Sequence, residues 1–215
     1  MNICFLVSGN GGNFKFFALA KSLGFIKDVN FFVLANDSCN ALKFAEKNKF
    51  YAKKINYKEN NKELLDELII IQPDAIVSAW NIIIDKEVVR HYSGKLINLH
   101  YSLLPSFAGV FGTTPIKQAY ERNCKFIGST CHYIDEGVDT GLIISQLILK
   151  NNKPFNQTIQ LVFQQSCLLL LNSIALTFNK NIIDEKQNDS FQFSPNLCFD
   201  DKVYDLSFWN ELSSL

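Results

Sequence analysis

The sequence predicts an α/β protein with a Rossmann-like, mostly parallel twisted sheet and helices on both faces. Three observations predict it. Short apolar runs recur at Ile3-Cys-Phe-Leu-Val7, Asn30-Phe-Phe-Val-Leu-Ala35, Ala75-Ile-Val-Ser-Ala79 and Leu96-Ile-Asn-Leu-His100. They are continuous rather than alternating, as strands buried on both faces require. Segments with helical spacing separate them, the alternation expected of a parallel sheet with crossover helices. The chain has 215 residues, 47% of them hydrophobic, and at that length a core buries about 70% of the unfolded surface without disulfide or metal.

The elements follow in order. The first strand runs into Ser8-Gly-Asn-Gly-Gly-Asn13, a turn of small residues. Residues 14–23 then place Phe14, Phe17, Ala18 and Lys21 at the spacing of a half-buried helix face. After the second strand, residues 38–48 read as a helix with Ser38 as its N-cap. A weak strand is expected over 51–55. Residues 60–71 form an amphipathic helix closed by Gln72-Pro73, because proline cannot continue it. Beyond the third run, residues 85–92 make a short helix stopped by Gly94. After Pro105 the texture changes: Gly109 and Gly112 mark a loop, and Pro115 opens a helix reaching Arg122. Two β-rich runs, 126–134 and 142–149, flank the polar turn Asp135-Glu-Gly-Val-Asp-Thr-Gly141. Residues 156–178 are the last strong helix. Its apolar stretch is interrupted by Gln164, Gln165, Ser166, Asn172 and Ser173, so it reads as a core helix rather than a membrane span.

Lys plus Arg equals Asp plus Glu, 21 each. That balance excludes a broad basic field for nucleic acid and offers nothing to an anionic membrane. An anionic ligand must therefore be held locally, by backbone N–H groups and a few side chains. The six cysteines, Cys4, Cys39, Cys124, Cys131, Cys167 and Cys198, show no zinc-ligand spacing. They read as small core residues in a reducing compartment. Residues 1–7 are too short for the apolar core of a secretion signal, so a cytoplasmic location is expected, as a monomer or homodimer.

Three constellations can carry chemistry. The Ser8 to Asn13 turn sits between a strand and a helix, where free backbone N–H groups favour an anion. It has neither the dinucleotide glycine spacing nor the lysine of a P-loop, and a ligand-free tight turn is the alternative. Alternation puts Asn98 and His100 on one side of the fourth apolar strand, at its C-terminal end, where open α/β sheets bind ligands. His100 is the kind of residue whose charge changes near neutral pH. The Asp135 to Gly141 turn offers carboxylates whose spacing is not that of a calcium loop. One of them can orient His100 and raise its basicity, or the turn is simply solvated.

In combination these segments resemble the folate-dependent formyltransferase family. Asn98-Leu-His-Tyr-Ser-Leu-Leu-Pro105, followed by His132-Tyr-Ile-Asp-Glu-Gly-Val-Asp-Thr-Gly141, matches that family's Asn-x-His before Ser-Leu-Leu-Pro and its later Val-Asp-Thr-Gly turn. The resemblance covers residues 1 to about 150 and is closest to the phosphoribosylglycinamide formyltransferases, whose phosphate loop Ser8 to Asn13 resembles. It implies the formyltransferase fold, with residues 1–180 as the catalytic domain and 181–215 as an extension packed on it. It implies 10-formyltetrahydrofolate as co-substrate and a phosphate-bearing primary amine as acceptor, foremost glycinamide ribonucleotide in purine biosynthesis.

The matched catalytic residues are Asn98, His100 and Asp139. In this reading Asn98 and protonated His100 donate hydrogen bonds to the developing oxyanion, and Asp139 holds His100 and aids the proton relay. The resemblance further assigns Ile82, Ile83, Ile84, Asp135 and Asp139 to the folate wall, and Gly11, Gly12, Asn13 and Lys62 to the acceptor phosphate. Trp80 reads as core. A Gln-Glu pair of the glycinamide enzymes falls at Gln165 and Ser166, so its acid is absent here. Thr113-Thr-Pro-Ile116 resembles instead the enzymes acting on nucleotide-linked amino sugars or on methionyl-tRNA; zero net charge speaks against tRNA, which makes such a sugar the alternative acceptor. A non-catalytic folate binder is a third reading, against which the intact Asn98, His100 and Asp139 speak.

Overall fold

The computed structural model describes residues 1–57, 61–184 and 192–215. The expected helix start at Asn60 and residues 185–191 of the extension lie outside them. Four of the predicted apolar runs form β1 (Asn2–Val7), β2 (Asn30–Ala35), β4 (Ala75–Ala79) and β5 (Leu96–His100). The weak signal after residue 50 is β3 (Tyr51–Lys54). Then come β6 (Phe126–Tyr133), β7 (Ile143–Lys150) and the two-residue β8 (Phe193–Ser194). The sheet order is β3-β2-β1-β4-β5-β6-β7-β8. The pairs from β3 to β5 are parallel, and those from β5 to β8 antiparallel.

The helices are α1 (Gly12–Ser22), α2 (Asn40–Lys47), α3 (Asn61–Ile71), α4 (Lys86–His91), α5 (Thr114–Glu121), α6 (Phe155–Thr177) and α7 (Leu206–Ser214). Side-chain alternation divides the core across the sheet. Ile3, Phe5 and Val7 face one cluster, which α1, α2, α5, α6 and α7 cover. Cys4 and Leu6 face the other, under α3 and α4. Phe5 anchors α1, its ring centroid 5.4 Å from those of both Phe14 and Phe17. The middle and end of α6 are buried against β6 and β7, as its interrupted apolar stretch predicts.

The start of α2 departs from expectation. Cys39, not Ser38, is the N-cap residue, and no side chain caps the helix. The Gly9 carbonyl accepts from the Ala41 N–H at 3.0 Å, so the β1–α1 turn itself satisfies a donor of the first turn. The C-terminal segment joins the main core. Tyr204 and Trp209 stack on Phe16 at 5.3 and 5.7 Å, and β8 pairs with Gln146 and Leu147 of β7.

Candidate active site

β1 is flanked by β2 on one side and β4 on the other, so the winding direction reverses between β1 and β4. Crevices at the C-terminal ends of strands form at such a reversal. Here a cleft of about 330 Å³ opens there. It is lined by the Ser8 to Asn13 turn, the Ser78 to Ile84 segment after β4, and the end of β5. Val110 to Gly112, the Ile134 to Asp139 segment after β6, and Phe163 of α6 complete it.

Asn98, His100 and Asp139 meet on the wall of this cleft. The parallel register with β4 places Asn98 beside Ser78, and the antiparallel register with β6 places it opposite His132. Asp139 adopts a left-handed conformation, φ 55°, which aspartate tolerates better than most residues. It points its carboxylate back at β5. Oδ2 accepts from the Gly109 N–H at 2.8 Å and lies 3.3 Å from His100 Nδ1. Oδ1 accepts from Asn98 Nδ2 at 3.3 Å and lies 3.5 Å from His132 Nε2. His100 Nε2 is 3.1 Å from the Phe107 carbonyl oxygen. The segment after β5 is tied down from beneath. Thr130 Oγ1 donates to the Ser102 carbonyl at 2.8 Å and accepts from the Leu104 N–H at 3.1 Å. Gln146 Nε2 donates to the Leu104 carbonyl at 3.2 Å.

The electrostatics follow from burial. His100 is buried, and that burial pulls its pKa below the ordinary histidine value. Asp139 and the Phe107 carbonyl oppose the shift, and His132 adds to it. Burial pushes the Asp139 carboxyl up, but His132, the Gly109 N–H and His100 outweigh it and hold it below the usual carboxylate value. The cluster therefore joins an ionised carboxylate to a largely neutral histidine at neutral pH, a pair suited to moving one proton.

The other predicted residues divide. Ile82, Ile83 and Ile84 all line the cleft, with Ile84 buried and Ile83 exposed. Asp135 lines it too, but its Oδ1 accepts from the Gly137 N–H and the Thr140 hydroxyl, which shapes the turn. Gly11, Gly12 and Asn13 lie at the start of α1 as expected. The Asn13 side chain accepts from Tyr101 Oη at 3.5 Å. Gly11 has φ 66°, and a Cβ there would sit 2.4 Å from that of Ala41.

One expectation is corrected. Lys62 is not among the cleft-lining residues. It sits exposed at the start of α3, after edge strand β3, two strands away from β1. Ser166, at the position of the absent acid, is fully buried and hydrogen-bonded to Ser129, and α6 presents Phe163 to the cleft instead. Asn98 Nδ2 donates to Asp139 Oδ1 at 3.3 Å and lies 3.1 Å from His132 Nε2. Trp80 is core, stacked on Tyr57 at 5.1 Å, but it also lines the cleft.

Two participants escaped sequence reasoning. His132 stands in the quoted motif but acquires a role only through the cross-strand pairing Asn98↔His132. Phe163 lies in a helix whose apolar residues all read alike. Its ring packs on Gly12, 2.8 Å from where a Cβ would stand.

A sequence profile of the formyl transferase family matches residues 1–153. Over 92 residues the chain is 38% identical to the formyltetrahydrofolate deformylase of Escherichia coli (strain K12), covering 42% of this chain and 32% of that protein. Over 104 residues it is 36% identical to the phosphoribosylglycinamide formyltransferase of Bacillus subtilis (strain 168), covering 48% and 50%. The chain thus spans about a third to a half of the length of these curated relatives. The crystal structure of glycinamide ribonucleotide transformylase 1 from Geobacillus kaustophilus matches with a TM-score of 0.72 at 26% identity, over 80% of this chain and 96% of that one. With residues 1–153 covered by the family's profile, the chain belongs to the formyl transferase family.

Proposed function

We propose that the protein transfers the formyl group of 10-formyltetrahydrofolate to a primary amine, with glycinamide ribonucleotide as the acceptor. The observation that carries this reading is the convergence of Asn98, His100 and Asp139 in a cleft whose far wall is the Ser8 to Asn13 turn. Proton-handling groups thus share one space with an anion-binding helix start.

The cleft fits a folate by its chemistry. A volume of about 330 Å³ lies within the range of small-ligand sites. Ile82, Ile84, Ile134 and Val138 give it apolar surface for a flat ring. The backbone of 80–84 and 134–139 supplies donors and acceptors, and Trp80 Nε1 is a buried donor with no partner. Bound 10-formyltetrahydrofolate supplies a formyl carbon on a nitrogen that leaves as a secondary amine.

The chain's own residues handle the proton. His100 takes it from the attacking amine at Nε2, the nitrogen turned away from Asp139, once Nε2 leaves the Phe107 carbonyl, to which it can only donate, and Asp139 Oδ2 holds the ring proton on Nδ1. The imidazolium so formed donates through Nδ1–H to Asp139 Oδ2. His100 then returns the proton to the departing nitrogen. The acceptor's phosphate is held by the first N–H groups of α1, because no lysine or arginine is among the described residues lining the cleft.

That same lack of a cation, with the Phe163 ring seated on Gly12, favours a second reading in which water is the acceptor and formate the product. The similarity to the Escherichia coli deformylase supports it as well. Release of tetrahydrofolate from 10-formyltetrahydrofolate, measured with glycinamide ribonucleotide, with an amino-sugar nucleotide and with no amine, separates the readings. Amine-dependent release with a formylated ribonucleotide supports transfer to that acceptor. Amine-independent release with formate supports hydrolysis, and no release in any arm refutes both.

A further inference from the structure

We propose that Glu136, Arg90 and Lys86 form a clamp that sets the width of the folate slot. It ties the turn after β6 to helix α4, and so positions the two walls between which the flat ring of the donor lies. The inference rests on the reading above that residues 82–84 and 134–138 face the folate. How those walls are joined is geometry alone.

One wall is Ile82, Ile83 and Ile84, which lead directly into α4. That helix is firmly seated. Val88 and Val89 are buried in the core cluster beneath it, and Asp85 Oδ1 accepts from the Glu87 N–H at 2.8 Å. The Tyr57 hydroxyl accepts from the Asp85 N–H at 2.5 Å. The opposite wall is the turn from Ile134 to Val138. Asp135 closes this turn on Gly137 and Thr140, and Asp139 ties its far end to Gly109 and His100. Neither set of bonds reaches α4, but Glu136 does. Its Oε1 accepts from Arg90 Nε at 2.7 Å and its Oε2 from Arg90 Nη2 at 3.2 Å. Lys86 Nζ lies 3.4 Å from the same Oε2.

A lone exposed ion pair contributes little, and two features set this one apart. The Arg90 contact is a two-pronged fork, which fixes direction as well as distance. Lys86 and Arg90 stand four residues apart on one face of α4, so a single carboxylate bridges two cations of one rigid element. The side chains are exposed, 41% for Glu136 and 68% for Arg90, so what they restrain is the turn rather than the core. Glu136 lines the cleft and neither cation does, so the cations stand outside the volume that a ring would fill. Without the clamp, the tip of the turn must be ordered each time a ring binds, a cost that falls on affinity. Asp139 is held separately by Gly109 and the two histidines, so the chemical step is spared.

The test uses Glu136→Gln, Arg90→Gln and the double variant in the full-length protein. Tetrahydrofolate release gives kcat and KM, and calorimetry with tetrahydrofolate gives a Kd that needs no turnover. Each single variant should raise KM and Kd for the folate about fivefold, with kcat within about twofold of wild type. The double variant should lie within about twofold of either single one, because the second substitution finds the bond already broken. Salt at about 1 M should weaken wild-type binding toward that of Glu136→Gln and leave the variant nearly unmoved. Arg90→Lys keeps the charge without the fork and should fall between wild type and Arg90→Gln. Unchanged or tighter folate binding in the single variants, additive losses in the double one, or a loss confined to kcat overturns the clamp. A wild type that binds tetrahydrofolate but formylates no amine refutes the transfer reading alone, and calorimetry still decides the clamp. A wild type that binds no tetrahydrofolate refutes the folate slot and the clamp with it.

Discussion

Asp139→Asn is the most searching perturbation of the site, because it removes the charge and keeps the shape. At φ 55° most substitutions would strain the backbone, but asparagine tolerates the left-handed region as well as aspartate. The substituted amide oxygen can keep the Gly109 N–H, but its nitrogen then faces Asn98 Nδ2, which loses its acceptor. Stability should therefore fall by about 1–3 kcal/mol. The chemistry should suffer far more. When His100 holds the proton, its ring carries a charge 3.3 Å from Asp139 Oδ2. With an effective dielectric of about 20 that contact is worth about 5 kcal/mol, and a charge-assisted hydrogen bond alone contributes about 1.5–3 kcal/mol. A loss of about 3–5 kcal/mol lowers turnover by about 10²- to 10⁴-fold. The assay is tetrahydrofolate release at saturating folate, with folate affinity measured by calorimetry and folding by thermal denaturation. A folded variant that binds folate and turns over within about tenfold of wild type refutes Asp139 as the partner of a protonated His100.

Gly11→Ala should destabilise the protein by about 2–4 kcal/mol, because the Cβ meets Ala41 at 2.4 Å in a left-handed residue. The urea midpoint measures this, and a change under about 0.5 kcal/mol would contradict the close approach. Thr130→Val keeps the shape but strips the hydroxyl that pairs with Ser102, Leu104 and Gln146. It should cost about 2–3 kcal/mol and lower turnover as the segment after His100 loosens. Stability should also fall on acidification below about pH 6.5. Burial depresses the folded pKa of His100, so between that value and the ordinary 6.5 the unfolded chain binds more protons. The His100 contribution is complete above the ordinary value and is lost as pH falls toward the folded one. His100→Gln should flatten this slope in urea titrations run across the window, and an unchanged slope would exclude His100 as its source.

Strands β1, β2, β4 and β5 are legible because burial on both faces demands an unbroken apolar run. Strand β3 is faint because it is an edge strand with four residues, mostly exposed. Strand β8 and helix α7 leave no clear trace, since two residues carry no period and the aromatics of α7 depend on a distant partner, Phe16. In the site, alternation alone pairs Asn98 with His100. The bond of His100 to Asp139 and the place of His132 need the register of β5 against β6, which is a tertiary fact. Lys62 illustrates the opposite error: the family resemblance points to a phosphate ligand there, but the order of the strands carries its helix elsewhere.

Two-residue β8 has a consequence for behaviour in solution. Strand β7 is eight residues long and carries exposed isoleucines at 143 and 148, so a bare outer edge there would template pairing with another chain. Strand β8 occupies the middle of that edge, at Gln146 and Leu147, and the Gln192 carbonyl takes the Ile148 N–H just beyond. No stretch of bare edge long enough to seat a foreign strand then remains at its centre. Proteolytic nicking ahead of Phe193 should accordingly announce itself as concentration-dependent aggregation before the cleft loses its shape.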